Sequence, residues 1–499
     1  MNNFHSVLSR RDFMKGLGLA GAGIGAAAAT TPVFHDLDDL MSSPQAVMSR
    51  AWYVKNREFG DIGIELDWNL IKRRDLKEFD NWNRKYIPQH YPGGPTAFNA
   101  HLISNTEKVA DKTKELWPDY QASTRDIALG KALFAVGNSS IYASNCEMGG
   151  MKVVPTQTPE QLGIPKWEGT PEENLRMIKA AFSVVGLGPS VGVAELTEKN
   201  KNFIWEYSPI STFGPSVPSR HIVFDDNISE YYTTSDSIHI PGSHKYVITT
   251  HNMACDELMR RPYSGMGGHA ERISYSRVAF AKNFVEEFIR ALGYHVVYGH
   301  ALQPATVWGI LGGEGEHGRM GQMVLSPEYG ALMRTHSIFY TDLPLSFTPP
   351  VDAGITKFCE TCGMCADMCP VGAIPKVGIG RSWDSFTGQD WANDKQLGGN
   401  EVMYNIPGYK GWRSNLFECA FTPCGSACKS SCPFNTIPDG SFMHNIVKTT
   451  VSTMPLFNSF FRNMEENMRY GYLDKEPSSW WDNPKEWHIY GTHPNLLEQ

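Results

Sequence analysis

The sequence predicts a mixed helix–sheet core, α/β or α+β, followed by a cysteine-rich module. Three observations carry this. Strand-like and helical stretches alternate through the middle of the chain. Eight of the 10 cysteines fall between Cys359 and Cys432, in two groups of four. The first residues run basic, apolar, small, the order of a bacterial export address.

A chain of 499 residues is too long for one small domain and long enough for a large core plus an accessory module. Its 41% hydrophobic and 20% charged residues are those of a globular protein. The net charge is -8 and no basic stripe is present, which argues against nucleic acid as a partner. Beyond the N-terminus no apolar run approaches the roughly 20 residues of a membrane span. Membrane attachment must then come from a partner or from the N-terminus.

Residues 1–43 read as a twin-arginine signal region. Ser9-Arg10-Arg11-Asp12-Phe13-Met14-Lys15 is the motif, a weakly apolar stretch runs from Gly16 to Thr30, and Ala27 to Ala29 offer a cleavage site. The Gly-rich run Gly16–Gly25 is a poor soluble helix. This route exports folded proteins, so metal clusters can be inserted before the chain reaches a space where thiols pair.

Residues 44–125 form an N-terminal unit rich in Trp, Tyr and Pro, and residues 126–348 the core. Lys245–Thr250 reads as a strand. A helix is predicted from Ser276 to Leu292, with Val278, Ala281, Val285, Phe288, Ile289 and Leu292 on one face. Lys282–Glu286 and Glu286–Arg290 are expected as ion pairs on the other side, and Gly293 as the C-terminal cap. A strand at Tyr294–Tyr298 follows. Thr348-Pro349-Pro350 marks a boundary before the cysteine module, 349–440. An extension, 441–499, begins helix-like and ends rich in Trp and Pro.

The first cysteine group is Cys359-x2-Cys362-x2-Cys365-x3-Cys369-Pro370, the spacing of bacterial ferredoxins with two 4Fe–4S clusters. Three thiolates on a tight loop cap three irons. The fourth cysteine opens the next turn and points to the other cluster. The second group, Cys419-x4-Cys424-x3-Cys428-x3-Cys432-Pro433, is looser but keeps four cysteines and the closing Cys-Pro. By this crossover, cluster one takes Cys359, Cys362, Cys365 and Cys432, and cluster two takes Cys369, Cys419, Cys424 and Cys428. A 3Fe–4S centre in the second position stays open. Zinc also takes four thiolates but does not account for the order of the first group. Cys146 and Cys255 stand apart and read as small buried apolar residues.

Gly313-Glu314-Gly315-Glu316-His317-Gly318 matches G-x-G-x-x-G. Its acidic residues would repel a pyrophosphate and no convincing helix follows, so the dinucleotide reading is set aside.

Taken in order, the twin-arginine signal, Gly312-Gly313-Glu314-Gly315-Glu316-His317-Gly318-Arg319, Ser326-Pro327-Glu328-Tyr329-Gly330, Thr341-Asp342-Leu343-Pro344-Leu345 and the two cysteine groups resemble the respiratory reductive dehalogenases. The likeness covers essentially the whole chain. The Trp/Tyr-rich N-terminal unit and the Trp-rich tail look like those of enzymes acting on chlorinated ethenes. The resemblance implies an α+β, nitroreductase-like core that holds a corrinoid base-off, with a ferredoxin-like two-cluster module behind it. No His here has an Asp two residues before it, which is compatible with a corrinoid lacking a protein ligand. The resemblance further implies Tyr275 as proton donor and Arg319 as its basic partner. Tyr275 would sit at a helix start, where the dipole assists the arginine in stabilising a phenolate. His300, Gln303 and Trp308 lie between the two and read as structure. The implied partners are a small organohalide (a chlorinated ethene or aromatic), an integral-membrane anchor, a membrane electron-donor chain and the twin-arginine machinery. The implied place is the outer face of the cytoplasmic membrane.

Two alternatives follow from the same residues. One is an exported iron–sulfur electron-transfer subunit without corrinoid. The other is a corrinoid, iron–sulfur epoxide reductase of the queuosine-pathway type, a cytosolic enzyme against which the signal counts.

Overall fold

In the computed structural model the chain is organised around a four-stranded antiparallel sheet. Its strands are β1 (Val191–Glu195), β2 (Tyr246–Met253), β3 (Val296–Tyr298) and β4 (Met333–Thr341), in the order β1-β2-β4-β3. The structure describes residues 50–488 apart from 52, 80–85, 142–146, 149–150, 153–155, 188–190, 211–217, 300–301, 384–405, 420–421, 437–440 and 469–474. The signal region, Cys146 and His300 lie outside the described residues.

Strand β2 is central because its run Val247-Ile248-Thr249-Thr250 is β-branched and buried on both faces. It pairs with β4 from Tyr246 opposite Thr341 to Met253 opposite Met333, and the register slips between Thr335 and Ser337. Such a bulge bends a strand and re-aims its side chains. Here it lies next to Arg334. At the other end of β4, Asp342 accepts from the backbone N–H of His295 at 2.7 Å and meets its ring at 2.9 Å, pinning β3. A smaller sheet joins His221–Asp225, Ser237–Pro241 and Tyr232–Thr233.

Helix α1 spans Gly94–Leu116, α2 Thr124–Ile141 and α3 Gly265–Ala291. Val278, Ala281, Val285 and Ile289 of α3 are fully buried, each Val or Ile contributing about 1.5–3 kcal/mol. The helix begins eleven residues before the predicted start at Ser276. Three glycines, Gly265, Gly267 and Gly268, hide that first turn from propensity, but Ser264 caps it by accepting from the Gly267 N–H at 3.2 Å. Gly267 is needed for close approach. A Cβ there would lie 2.4 Å from the Arg261 carbonyl oxygen and 2.7 Å from that of Gly425. Gly293, at φ 91°, closes the helix as predicted from its conformational freedom.

The surface pairs differ from expectation in part. Arg290 reaches Glu287, at 3.6 Å, and Glu286 accepts from the Tyr298 N–H at 3.2 Å. Lys282 is buried over the Tyr298 ring.

Helix α4 (Ile355–Cys362) opens the cysteine module and α5 (Asn458–Met468) packs against it. Arg462 of α5 donates to the Cys362 carbonyl at 3.2 Å. The N-terminal residues Ile62, Ile71 and Leu76 share one hydrophobic core with Trp205, Trp308 and Tyr340 of the central segment. Residues from Ala51 onward make one unit rather than separable pieces. Among the described residues no helix is long and apolar enough to cross a membrane.

Candidate active site and cluster sites

Cys359 and Cys362 stand three residues apart on α4 and share a face. Gly363, at φ 68°, turns the chain so that Cys365 joins them. Cys359, Cys362, Cys365 and Cys432 line one cavity, closed by Met320, Leu325, Phe358 and Phe434. These are the four cysteines that the spacing assigns to the first cluster. Burial pushes the Cys359 thiol up to about 11 and Cys432 up to about 12, the latter with help from Cys359. Cys369, Cys419, Cys424 and Cys428 are half-buried and lie together. Burial raises Cys428 well above its ordinary value, and Cys424, Cys419 and Cys369 add to this. Two sulfurs receive donors: Ala373 N–H to Cys369 at 3.2 Å and Gln322 Nε2 to Cys419 at 3.3 Å. Among the described residues no His, Cys, Asp and Glu side chains close on the point of a single metal ion.

The Gly312–Arg319 segment builds the seat of α4. Residues Glu316–His317 pair as a short strand with Val324–Leu325, and no helix begins there. Glu314 accepts from Thr249 at 2.9 Å and faces His251 at 2.8 Å in the core. Glu316 accepts the backbone N–H groups of Ala353, Ile355 and Thr356 at 2.7–3.2 Å. That satisfies the first turn of α4, whose capping position is Gly354 without a side chain. Burial pushes the Glu316 carboxyl up, and the three N–H groups oppose this. Gly318 allows close packing at the wall of this first cavity, since a Cβ there would lie 2.2 Å from Leu325 and 3.3 Å from the Cys359 sulfur.

Arg319 is buried, but not beside Tyr275. Its guanidinium donates to the carbonyls of Cys359, Glu360, Pro375, Lys376 and Ile379 at 2.8–3.3 Å and lies over the Trp412 ring. A rigid five-donor fork suits this task of gathering two loops around the first cavity. The Ser326–Gly330 segment meets the end of the second group, where the Glu328 carbonyl accepts from the Thr436 hydroxyl and from Lys448 at 2.6 Å. Ala331 N–H donates to Asn435 at 2.9 Å, and Asn435 donates to the Lys429 carbonyl at 2.8 Å.

Tyr275 lies in the middle of α3, so the helix dipole expected there does not act on it. Its partner is Arg334 of β4, which donates to the phenol oxygen and lies 5.2 Å from the ring centre. Glu271, one turn earlier on α3, meets Arg334 at 3.2 Å. Burial is the largest influence on the Tyr275 phenol and raises it, Arg334 pulls it down, and Glu271 pushes it up. Arg319 is not among these charges. Trp308 is a fully buried core residue, Gln303 donates to the Gly299 carbonyl at 2.6 Å, and Cys255 packs in a second buried cluster.

Residues 49–345 match the family model described as reductive dehalogenase subunit. The chain is 32% identical to a chloroethene reductive dehalogenase of Dehalococcoides mccartyi (strain VS), over 99% of this chain and 100% of that one. The chain belongs to the reductive dehalogenase family. It is also 28% identical to a trichloroethene reductive dehalogenase from another strain of Dehalococcoides mccartyi, over 96% and 98% of the two chains. A solved reductive dehalogenase, described as suggesting a mechanism for B12-dependent dehalogenation, superposes with a TM-score of 0.52 at 17% identity. The match covers 89% of this chain and 52% of that one, so the chain spans about half the length of that solved protein, and the likeness is one of fold.

Arg334 and Glu271 are the residues grouped with Tyr275 that sequence reasoning passed over. Two signals were available: an arginine directly after the apolar run Ala331-Leu332-Met333, and a Glu four residues before Tyr275. A helix predicted only from Ser276 leaves Glu271 outside it, whereas the helix spans Gly265–Ala291.

Proposed function

We propose that this family member is the catalytic subunit of organohalide respiration, replacing the halogen of a small organohalide by hydrogen. The net change consumes an electron pair and a proton and releases halide. The observation that carries it is a phenol and a guanidinium in contact on a core helix and strand, joined through Glu271 to the second cysteine group. The substrate class favoured by similarity along the whole chain is a chlorinated ethene.

The cysteines fit two 4Fe–4S clusters in a ferredoxin-like module. Four thiols crowded into a dry cavity are hard to ionise alone, and iron supplies the positive charge that stabilises them as thiolates. A base-off corrinoid in a nitroreductase-like core fits a sequence that offers cobalt no Asp-x-His motif and a phenol that is only half-buried. When bound, the clusters and the corrinoid supply the low-potential electrons that break the carbon–halogen bond.

The protein's part is the proton. Burial keeps Tyr275 protonated at neutral pH, and Arg334 stabilises the phenolate once the proton has gone to carbon. In the Tyr275–Arg334 bond the guanidinium donates, so the phenol proton is not used there. Export by the twin-arginine route, a membrane anchor and a membrane electron donor complete this reading, with the enzyme on the outer face of the cytoplasmic membrane. A pure electron-transfer subunit is not favoured, because the family model matches the segment that precedes the cysteines.

Anaerobic reconstitution with iron, sulfide and corrinoid tests the reading. About one cobalt and eight irons per chain, with chloride release from chloroethenes lost in Tyr275→Phe, is the expected result. Iron uptake without cobalt, with corrinoid supplied, overturns it.

A further inference from the structure

Among the described residues two that are not glycine adopt positive φ, Tyr263 at 60° and Ser426 at 59°. Such backbone costs about 1–3 kcal/mol and persists only where its surroundings enforce it. Both residues lie at the second cysteine group. Tyr263 N–H donates to the Cys424 carbonyl at 2.9 Å. Ser426, two residues after Cys424, donates its hydroxyl to Glu271 Oε1 at 2.9 Å. Lys429, which follows Cys428, pairs with the same carboxylate oxygen. The other oxygen of Glu271 takes Arg334, and Arg334 donates to Tyr275. Polar contacts therefore run unbroken from the cysteine loop to the phenol. Glu271 and Tyr275, four residues apart, present the same helix face.

We propose that Glu271 is a positioning residue that ties the loop of the second cysteine group to Tyr275, so that the set of that loop fixes Arg334 and with it the phenol's readiness to release its proton. This rests on the reading of Tyr275 as the acid and of that loop as a cluster site.

Three donors converge on Glu271 from two places: Ser426 and Lys429 from the loop, Arg334 from β4. Burial alone would raise the Glu271 carboxyl, but Arg334 and Lys429 outweigh it and hold it at about 2. It is an anion throughout the working range. Its charge raises the phenol while Arg334 lowers it, so its placement sets the balance. His269 and Arg272, which flank Glu271 on α3, reach α2, whose Asp126 carboxylate is turned to the C-terminal segment. His269 meets the Asp126 carbonyl at 2.8 Å, Arg272 reaches the Gly130 carbonyl at 3.5 Å, and the Asp126 carboxylate takes the Trp481 indole.

The test reads the phenol without substrate. Cluster-loaded, full-length protein is titrated anaerobically by tyrosinate absorbance, each protein against its Tyr275→Phe counterpart. In Glu271→Gln the Tyr275 midpoint falls by about one pH unit, a tenfold gain in phenolate fraction below the midpoint. Ser426→Ala, which touches neither Arg334 nor Tyr275, shifts it by a smaller amount, and Glu271→Asp restores part of the wild-type value. Iron content and the electron-spin signals of the reduced clusters stay as in wild type. An unmoved midpoint in Glu271→Gln overturns the proposal. So does a shift in Glu271→Gln with none in Ser426→Ala, which severs the link to the loop, and so does loss of iron from Glu271→Gln, which makes Glu271 a structural part of the cluster site. A shifted midpoint in a protein that releases no halide would sink the dehalogenase reading and leave this link standing.

Discussion

Arg334 donates to the Tyr275 hydroxyl across the boundary between the central sheet and its longest helix. A guanidinium in that place cannot lose its charge, so it stabilises phenolate at any working pH. Arg334→Gln is expected to lower chloride release about 100-fold, equivalent to about 2.7 kcal/mol of barrier, with KM little changed. Arg334→Lys keeps the charge, loses the fork and falls between. Steady-state kinetics on reconstituted enzyme decide it, and wild-type turnover in Arg334→Gln would reduce Arg334 to packing.

Arg319 has a different consequence. Its donors hold five carbonyls of the loops around the first cavity, from Cys359 to Ile379. Arg319→Met leaves those carbonyls unpaired and is expected to cost about 3 kcal/mol. Iron content should fall toward about four per chain, from the first site. The Tyr275 midpoint should not move. Iron analysis together with the phenol titration separates this role from the acid–base role, which would show the reverse pattern.

Tyr263 joins the two halves of the second site. Its N–H holds the Cys424 carbonyl, its hydroxyl donates to the Met368 carbonyl at 2.8 Å, and Thr113 donates to its own carbonyl at 2.6 Å. Tyr263→Phe loses the bond to Met368, next to Cys369, at a cost of about 1 kcal/mol. The expected result is faster loss of iron to a chelator, confined to the second cluster's spin signal. Equal loss from both clusters would show general destabilisation instead.

That Cys359, Cys362, Cys365 and Cys432 meet at one cavity was legible because such spacing is local and chemical. Cys359, Cys362 and Cys365 sit within one short helix and turn, and the partner Cys432 follows from the crossover rule. The core helix was legible in its apolar face but not in its first turn. Gly265, Gly267 and Gly268 argue against a helix locally, whereas contact with Arg261 and Gly425 demands them. The partner of Tyr275 was misplaced for a related reason. Arg319, buried, and Arg334, half-buried, both follow the tyrosine in sequence, and only strand pairing and the bulge after Thr335 decide which one faces α3. Register of that kind is a tertiary property, and no spacing in the chain reports it.

The last described residues act as a charged strap. Arg261 is fully buried and meets Glu486 at 2.6 Å, while Lys475 meets Glu486 at 2.8 Å and Glu257 at 2.5 Å. Arg125 lies over the Trp481 ring of the same segment. Burial alone would raise the Glu486 carboxyl, but Lys475 and Arg261 together hold it below its ordinary value. A carboxyl depressed in the folded state adds stability above the ordinary Glu value of about 4.3 and loses it as pH falls through the lower native value. Glu486→Gln strands the buried Arg261 charge and is expected to cost about 3 kcal/mol near neutrality. The gap in melting temperature between wild type and Glu486→Gln should then stay flat from about pH 8 to pH 5 and close below about pH 4. Because both proteins keep the same cysteine module, the gap isolates this carboxylate. A gap that persists unchanged into acid would mean that Glu486 holds the strap by shape and hydrogen bonding rather than by charge.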